Sequence, residues 1–135
     1  MTGGLESALA EASSPSWTRR ARAGRDLASF ADVPEAAEVL VRLLLDAEDT
    51  AVTRRTAEAL ARTGTTAAVR LIALAVVEAD DNRADWLQTG VHDARVGPDG
   101  VPDVAEACAK LAQDQEEPVR RGAAEISAWA AGTSR

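Results

Sequence analysis

The chain contains no tyrosine, one phenylalanine (Phe30), one cysteine (Cys108) and one histidine (His92). Each scarcity removes a class of answer. Few aromatics beside abundant alanine, leucine and arginine favour helix over strand. No stretch alternates apolar and polar residues cleanly at period two, as a half-buried strand would. A lone cysteine cannot close an intramolecular disulfide, which suits a reducing compartment, and within an apolar helical pattern its thiol reads as a core filler rather than a reactive group. One histidine and one distant cysteine are too few ligands for zinc. The acidic run EADDNRAD lacks the alternating ligands and central glycine of a calcium loop. No G-x-S-x-G, H-E-x-x-H or phosphate-cradling glycine loop occurs, so neither an enzyme nor a cofactor is expected. The longest apolar run is about ten residues, against roughly twenty for a bilayer span. The start, MTGGLESALAEASS, lacks the basic region and apolar core of a secretory signal. These absences predict a cytoplasmic protein with no membrane partner.

What is present is helical periodicity, organised around TAAVRLIALAVVEA at residues 66–79, where only Arg70 and Glu78 are charged. A helix apolar on every side has to be covered on every side, which predicts a central spine. Leu5, Ala8, Leu9 and Ala12 recur at helical spacing before it. Pro15, capped by Ser14, opens a helix to about residue 31 with Trp17, Ala21, Gly24 and Ala28 on one face. Pro34 starts the next, with Val39, Leu40, Leu43, Leu44 and Ala47 inward and Glu38–Arg42 as an i,i+4 pair. Asp49 begins another, with Val52, Thr56, Ala59 and Leu60 inward, Arg54, Glu58 and Arg62 as a polar ladder, and Gly64 as its stop. Beyond the spine, helices are predicted over residues 83–93, 103–113 and from Pro118 onward. VGPDGVP at 96–102 is a loop and residues 132–135 a flexible tail.

Net charge is −7, and it is unevenly placed. Residues 76–117 hold eleven acids and three bases, a balance of −8 that leaves +1 elsewhere. That balance argues against a nucleic-acid partner, whose phosphates call for a basic surface. It makes a basic protein partner electrostatically plausible, although solubilising loops and capping helices accounts for most such acids.

Sliding the chain against itself turns eight segments into four pairs. A shift of 35 lays Leu5 on Leu40, Leu9 on Leu44, Glu11 on Asp46, Trp17 on Val52 and Arg19 on Arg54. A shift of 67 lays Leu44 on Leu111, Asp49 on Glu116, Val52 on Val119, Arg54 on Arg121 and Glu58 on Glu125. A shift near 32 lays Asp49 on Asp81 and Val52 on Ala84, a poorer fit. The order of acid, valine, arginine and alanine in Asp49-Thr50-Ala51-Val52-Thr53-Arg54-Arg55-Thr56-Ala57, and again in Glu116-Glu117-Pro118-Val119-Arg120-Arg121-Gly122-Ala123-Ala124, resembles a HEAT repeat. The third unit departs from it, with Trp86 at the arginine position, which disturbs the expected regular curvature there.

The resemblance implies an all-α solenoid of about four antiparallel helix pairs, at residues 4–31, 34–63, 66–93 and 102–131, forming one domain over 1–131. Each pair shares its apolar face with the next. It also implies that second helices line a concave, partner-binding side. On that mapping Arg19, Arg54, Trp86 and Arg121 form one column, with Glu58 and Glu125 one turn further along. Trp86 is either a hot-spot residue among arginines or, by its own helix wheel, core. Trp17 and Trp129 read as core packing. Asp85, Gln88 and His92 share one helix face: a polar contact patch, an acid–base pair, or simply a histidine favoured by a helix end. The function expected is non-catalytic protein binding through Arg19, Arg54, Glu58, Arg62, Asp85, Trp86, His92 and Arg121. Its most concrete form is an immunity-type inhibitor of a toxin or effector in a GC-rich bacterium. The alternatives are a HEAT-like lyase or chaperone subunit, with Trp86, His92 and Asp85 around a cofactor, and a homo-oligomeric scaffold.

Overall fold

The computed structural model describes residues 3–95 and 104–130. Among these residues the fold is entirely helical: α1 (Gly3–Glu11), α2 (Trp17–Leu27), a 3-10 turn (Ala28–Phe30), α3 (Pro34–Leu44), α4 (Thr50–Thr63), α5 (Thr66–Glu78), α6 (Asp81–Arg95), α7 (Val104–Leu111) and α8 (Glu117–Ala130). The expected loop at 96–102 and tail at 132–135 lie outside the described residues.

Local chemistry sets most of these boundaries. Asp49 caps α4 by accepting from the Ala51 amide at 2.9 Å. Gly64 ends the helix at φ 69°, a left-handed conformation that favours glycine, and its amide returns to the Leu60 carbonyl. Thr65 then caps α5 through the Ala68 amide at 3.1 Å. Pro34 takes the first turn of α3 as expected. The cap of α2 is Ser16 and not Ser14: Ser16 accepts from the Arg19 amide, while Ser14 accepts from the Ser16 amide one step upstream. Two smaller expectations on α3 fail. Ala47 lies beyond the end of the helix, in the turn to α4, and is exposed. Glu38 and Arg42 are both exposed and close no ion pair among the described residues, as is common for surface pairs that gain little in water.

The helices stack as an α-solenoid. Hairpins α1/α2, α3/α4 and α7/α8 pack internally; α2, α4 and α6 lie side by side in one layer, and α3, α5 and α7 in the other. The spine α5 buries Ala68, Val69, Leu71, Ile72, Ala73 and Ala75 between α3, α4, α7 and α8. That is what its all-round apolarity demanded. The third unit is irregular, however: α6 rests mainly on α4 and barely touches α5, and α8 takes the place against α5. Gly122 makes that approach possible, since any Cβ there would collide with the Ala73 backbone.

Arginine–aspartate staples tie the units together. Arg20 donates Nε to Asp46 Oδ1 at 3.0 Å and Nη2 to Oδ2 at 3.3 Å, with both side chains about nine-tenths buried. Arg70 reaches Asp114 at 3.3 Å and Glu116 at 2.6 Å. Partial burial works against the charge on Arg70, but the bonds to Asp114 and Glu116 outweigh it and raise its pKa. On Asp114 the dominant influence is the Glu116 amide, seconded by Arg70, and it lies below the usual carboxylate range.

The core also holds an oddity, because Thr53 and Thr56 on α4 are fully buried and neither hydroxyl has a hydrogen-bond partner among the described residues. An unsatisfied buried hydroxyl costs about 1–3 kcal/mol that a methyl of the same shape does not. Thr53→Val is therefore expected to raise stability by about 1 kcal/mol, read as a higher urea midpoint at unchanged slope. A lower midpoint would show that the Thr53 hydroxyl is in fact hydrogen-bonded.

Candidate functional site

The side-by-side packing of α2, α4 and α6 leaves an open groove of about 810 Å³ with α4 as its floor. Thr18, Ala21, Arg22 and Arg25 line it from α2, and Trp86 and Asp93 from α6. The floor supplies Asp49, Thr50, Ala51, Arg54, Arg55, Glu58, Ala59 and Arg62. The helix faces explain the choice. On α4 the residues Val52, Thr53, Thr56, Ala57, Leu60 and Ala61 turn into the core, which leaves the arginine-bearing side outward. On α6, Leu87, Gly90, Val91 and Ala94 are buried. Gly90 brings the helix against the Arg54 carbonyl and Ala57, which sets Trp86 and Asp93 beside the floor.

Two arginines of that floor make cation–π contacts, one with Trp86 in the groove wall and one with Trp17 outside the lining. Arg54 lies 5.9 Å from the centre of the Trp86 ring and Arg55 lies 5.2 Å from that of Trp17. Arg54 also donates to Asp93 at 2.6 Å. That hydrogen bond, with the charge of Asp93, raises the pKa of Arg54. Arg62 closes onto Glu58 one turn away at 3.0 Å. The lining thus carries five arginines against three acids, on a chain whose overall charge is −7.

The eight residues expected to form a binding surface separate into groups. Arg54, Glu58, Arg62 and Trp86 meet in the groove. Arg19 is exposed on α2 but does not line it. Arg121 is exposed on α8, away from the α2–α4–α6 layer because α8 lies against α5. His92 is exposed and borders a separate hollow of about 240 Å³ with Gln88, Thr89, Val91 and Trp129. Asp85 is exposed and belongs to neither. Trp86, His92 and Asp85 therefore do not converge on a common pocket. Successive residues 85 and 86 leave a helix about 100° apart, and Trp86 and His92 are separated by almost two turns. Among the described residues no three His, Cys, Asp or Glu side chains are grouped so as to hold a metal ion.

Two tryptophans differ from expectation. Trp86 is half-buried at the groove wall and so combines both of its readings. Trp17 is not core: it is 37 % exposed, and the Arg55 guanidinium covers its ring where aliphatic side chains were expected. Trp129 is half-buried against the core as the sequence suggests. Arg22, Arg25 and Arg55 went unnoticed as groove residues. Trp17 and Arg55 are 38 positions apart, and no local pattern announces their contact.

Helix hairpins stacked in two layers, with an open groove across α2, α4 and α6, define a helical repeat protein. The family model for HEAT repeats matches residues 5–89, and the chain belongs to the HEAT-repeat family. Proteins built from these repeats generally mediate protein–protein interaction. The match takes in α1 to α5 and most of α6, and with them every groove residue except Asp93. The HEAT-like sequence at 116–124 falls outside it, on the helix that breaks the regular stacking. No curated protein and no solved structure matches the chain. No helix among the described residues is long and apolar enough to cross a membrane.

Proposed function

We propose that the chain is a non-catalytic module that binds a protein partner along the α2–α4–α6 groove. The observation that carries this reading is one open channel lined by Trp86 and five arginines, with Arg54 against Trp86 and Arg55 reaching Trp17 just outside the lining. Tryptophan and arginine are the residues in which binding energy concentrates at protein interfaces, and here they are held in place before any partner arrives. Family membership supports the same surface, since second helices line the binding side of such stacks.

A narrower form, an immunity-type inhibitor that occludes a basic toxin, draws on the acids of residues 76–117. Four of the nine described acids there are tied to arginines: Asp80 to Arg83, Asp93 to Arg54, and Asp114 and Glu116 to Arg70. The other five, Glu78, Asp81, Asp85, Glu106 and Glu117, are exposed and spread over α5, α6, α7 and α8. The groove is the more concentrated feature and the better guide to a partner.

A photo-reactive residue placed at Thr18 or Ala51 in the groove, and at Glu38 or Arg42 on α3 as a control, tests the docking site in the cell that makes the protein. One discrete adduct is expected from the groove positions and none from α3. The adduct protein, purified, should bind the intact chain and lose roughly thirtyfold in affinity to Trp86→Ala, the effect of removing a hot-spot side chain worth about 2 kcal/mol. Adducts from α3 alone, or full affinity in a folded Trp86→Ala protein, would overturn the assignment.

A further inference from the structure

The groove's charges that lack an ion-pair partner within it are mostly cationic: Arg22, Arg25 and Arg55 against Asp49. All three groove acids are engaged already: Asp49 with the start of α4, Glu58 with Arg62, and Asp93 with Arg54. Arg22 is exposed and makes no hydrogen bond or ion pair among the described residues. Arg55 has only its contact with Trp17. A cation–π contact of that kind uses none of the guanidinium's N–H groups in a hydrogen bond, so they remain able to grip a carboxylate through two parallel bonds. An occupant that covers Arg22 and Arg55 without supplying acceptors leaves two charges desolvated and unpaired. A basic occupant adds like-charge repulsion, which costs several kcal/mol.

Resting on the docking reading above, we propose that the occupant is an acidic peptide segment of the partner, its carboxylates held by Arg22 and Arg55 across the floor of the groove. This reverses the sign suggested by net charge: an acidic protein binds an acidic segment, because the groove is locally basic. Repulsion from the rest of the chain discriminates against weakly matched polyanions, and the arginine pair supplies the attraction at short range.

The test uses the full chain with fluorescein-labelled hepta-glutamate, hepta-lysine and a neutral glycine–serine heptamer, read by fluorescence anisotropy at about 50 mM and about 300 mM salt. Hepta-glutamate is expected to bind, to weaken at the higher salt, and to lose about tenfold or more in affinity with Arg22→Ala/Arg55→Ala. Arg42→Ala, an exposed arginine on α3, should leave the affinity unchanged. Both groove arginines are exposed, so the double variant is expected to stay folded, with a urea midpoint lowered by no more than the loss of the Arg55–Trp17 contact. Hepta-lysine binding as well as hepta-glutamate, no hepta-glutamate binding at millimolar concentration, or an equal loss with Arg42→Ala would each overturn the proposal. A thymidine oligonucleotide of similar charge that binds more tightly through Arg22 and Arg55 would also overturn it, by making the groove a nucleic-acid site. If adducts map to the groove and hepta-glutamate fails, the docking site stands and only its acidic occupant falls. If no adduct maps there, the docking reading fails as well.

Discussion

Asp46→Ala is expected to cost about 3–5 kcal/mol of folding stability, read as a large fall in the urea midpoint. The carboxylate sits in the turn between α3 and α4 and is the hub of several separate connections. It takes two bonds from Arg20 of the first unit, and its Oδ2 accepts the amides of Glu48 at 3.2 Å and Asp49 at 2.8 Å. The Asp46 carbonyl also receives Arg83 from α6 at 2.8 Å, and Arg20 uses its remaining nitrogen on the Ser14 carbonyl at 2.9 Å. Three units thus converge on one turn. Removing the carboxylate leaves the buried Arg20 cation with only Ser14 and the exposed Glu48 at 3.5 Å. Arg20→Met/Asp46→Leu removes both charges and should recover much of the loss, since a buried pair replaced by apolar groups is often neutral. Recovery should stop short of the wild type, because the Glu48 and Asp49 amides lose their acceptor. A loss below about 1 kcal/mol for Asp46→Ala would mean that the staple contributes no more than a surface ion pair.

Local signals made most of the fold legible. Asp49, Pro34 and Gly64 announced helix ends, the apolar circumference of α5 announced its central place, and Val104, Ala107, Cys108 and Leu111 are all buried at the spacing that marked them. The family resemblance followed from the same residues. The sequence could not disclose which helices cross closely, since Asp46 and Arg20 are 26 positions apart and their pairing has no periodic signature. The groove was half legible for the same reason. Arg54 and Trp86 lay on a repeat-derived column with Glu58 a turn further on, and Arg54, Glu58 and Arg62 occupy a single helix whose outward face is fixed by its own pattern. Arg121 is off that column because α8 lies against α5, a close approach that the absent side chain of Gly122 permits at Ala73. Sequence periodicity reports which side of a helix is apolar, whereas the identity of the neighbour depends on close approach, which glycine encodes without any period.

Glycine at the crossings therefore carries the second large expected effect. Gly122→Ala should lose about 3 kcal/mol or more, at or beyond the upper end for overpacking, because the added Cβ meets backbone: the Ala73 carbonyl oxygen and, at 2.7 Å, its Cα. Backbone in the middle of α5 cannot turn aside as a side chain does, so α8 has to withdraw. Gly90→Ala meets the Arg54 carbonyl and, at 2.8 Å, the Ala57 Cβ, and should cost a similar amount. Its second consequence differs: α6 carries Trp86 and Asp93, so moving it loosens both from Arg54 and should shift tryptophan emission and weaken groove binding together. Gly122→Ala leaves the α2–α4–α6 layer in place and should spare binding wherever the protein remains folded. Gly24→Ala meets mainly the Thr56 side chain, so Thr56→Ala should rescue it in a double-mutant cycle. Gly4 is the control. It lies in α1 with nothing within 4 Å of an added Cβ, and alanine there should be neutral or gain up to about 1 kcal/mol from helix propensity alone. If Gly122→Ala behaved like Gly4→Ala, glycine at that crossing would have no packing role, and the placement of α8 on α5 would need another cause.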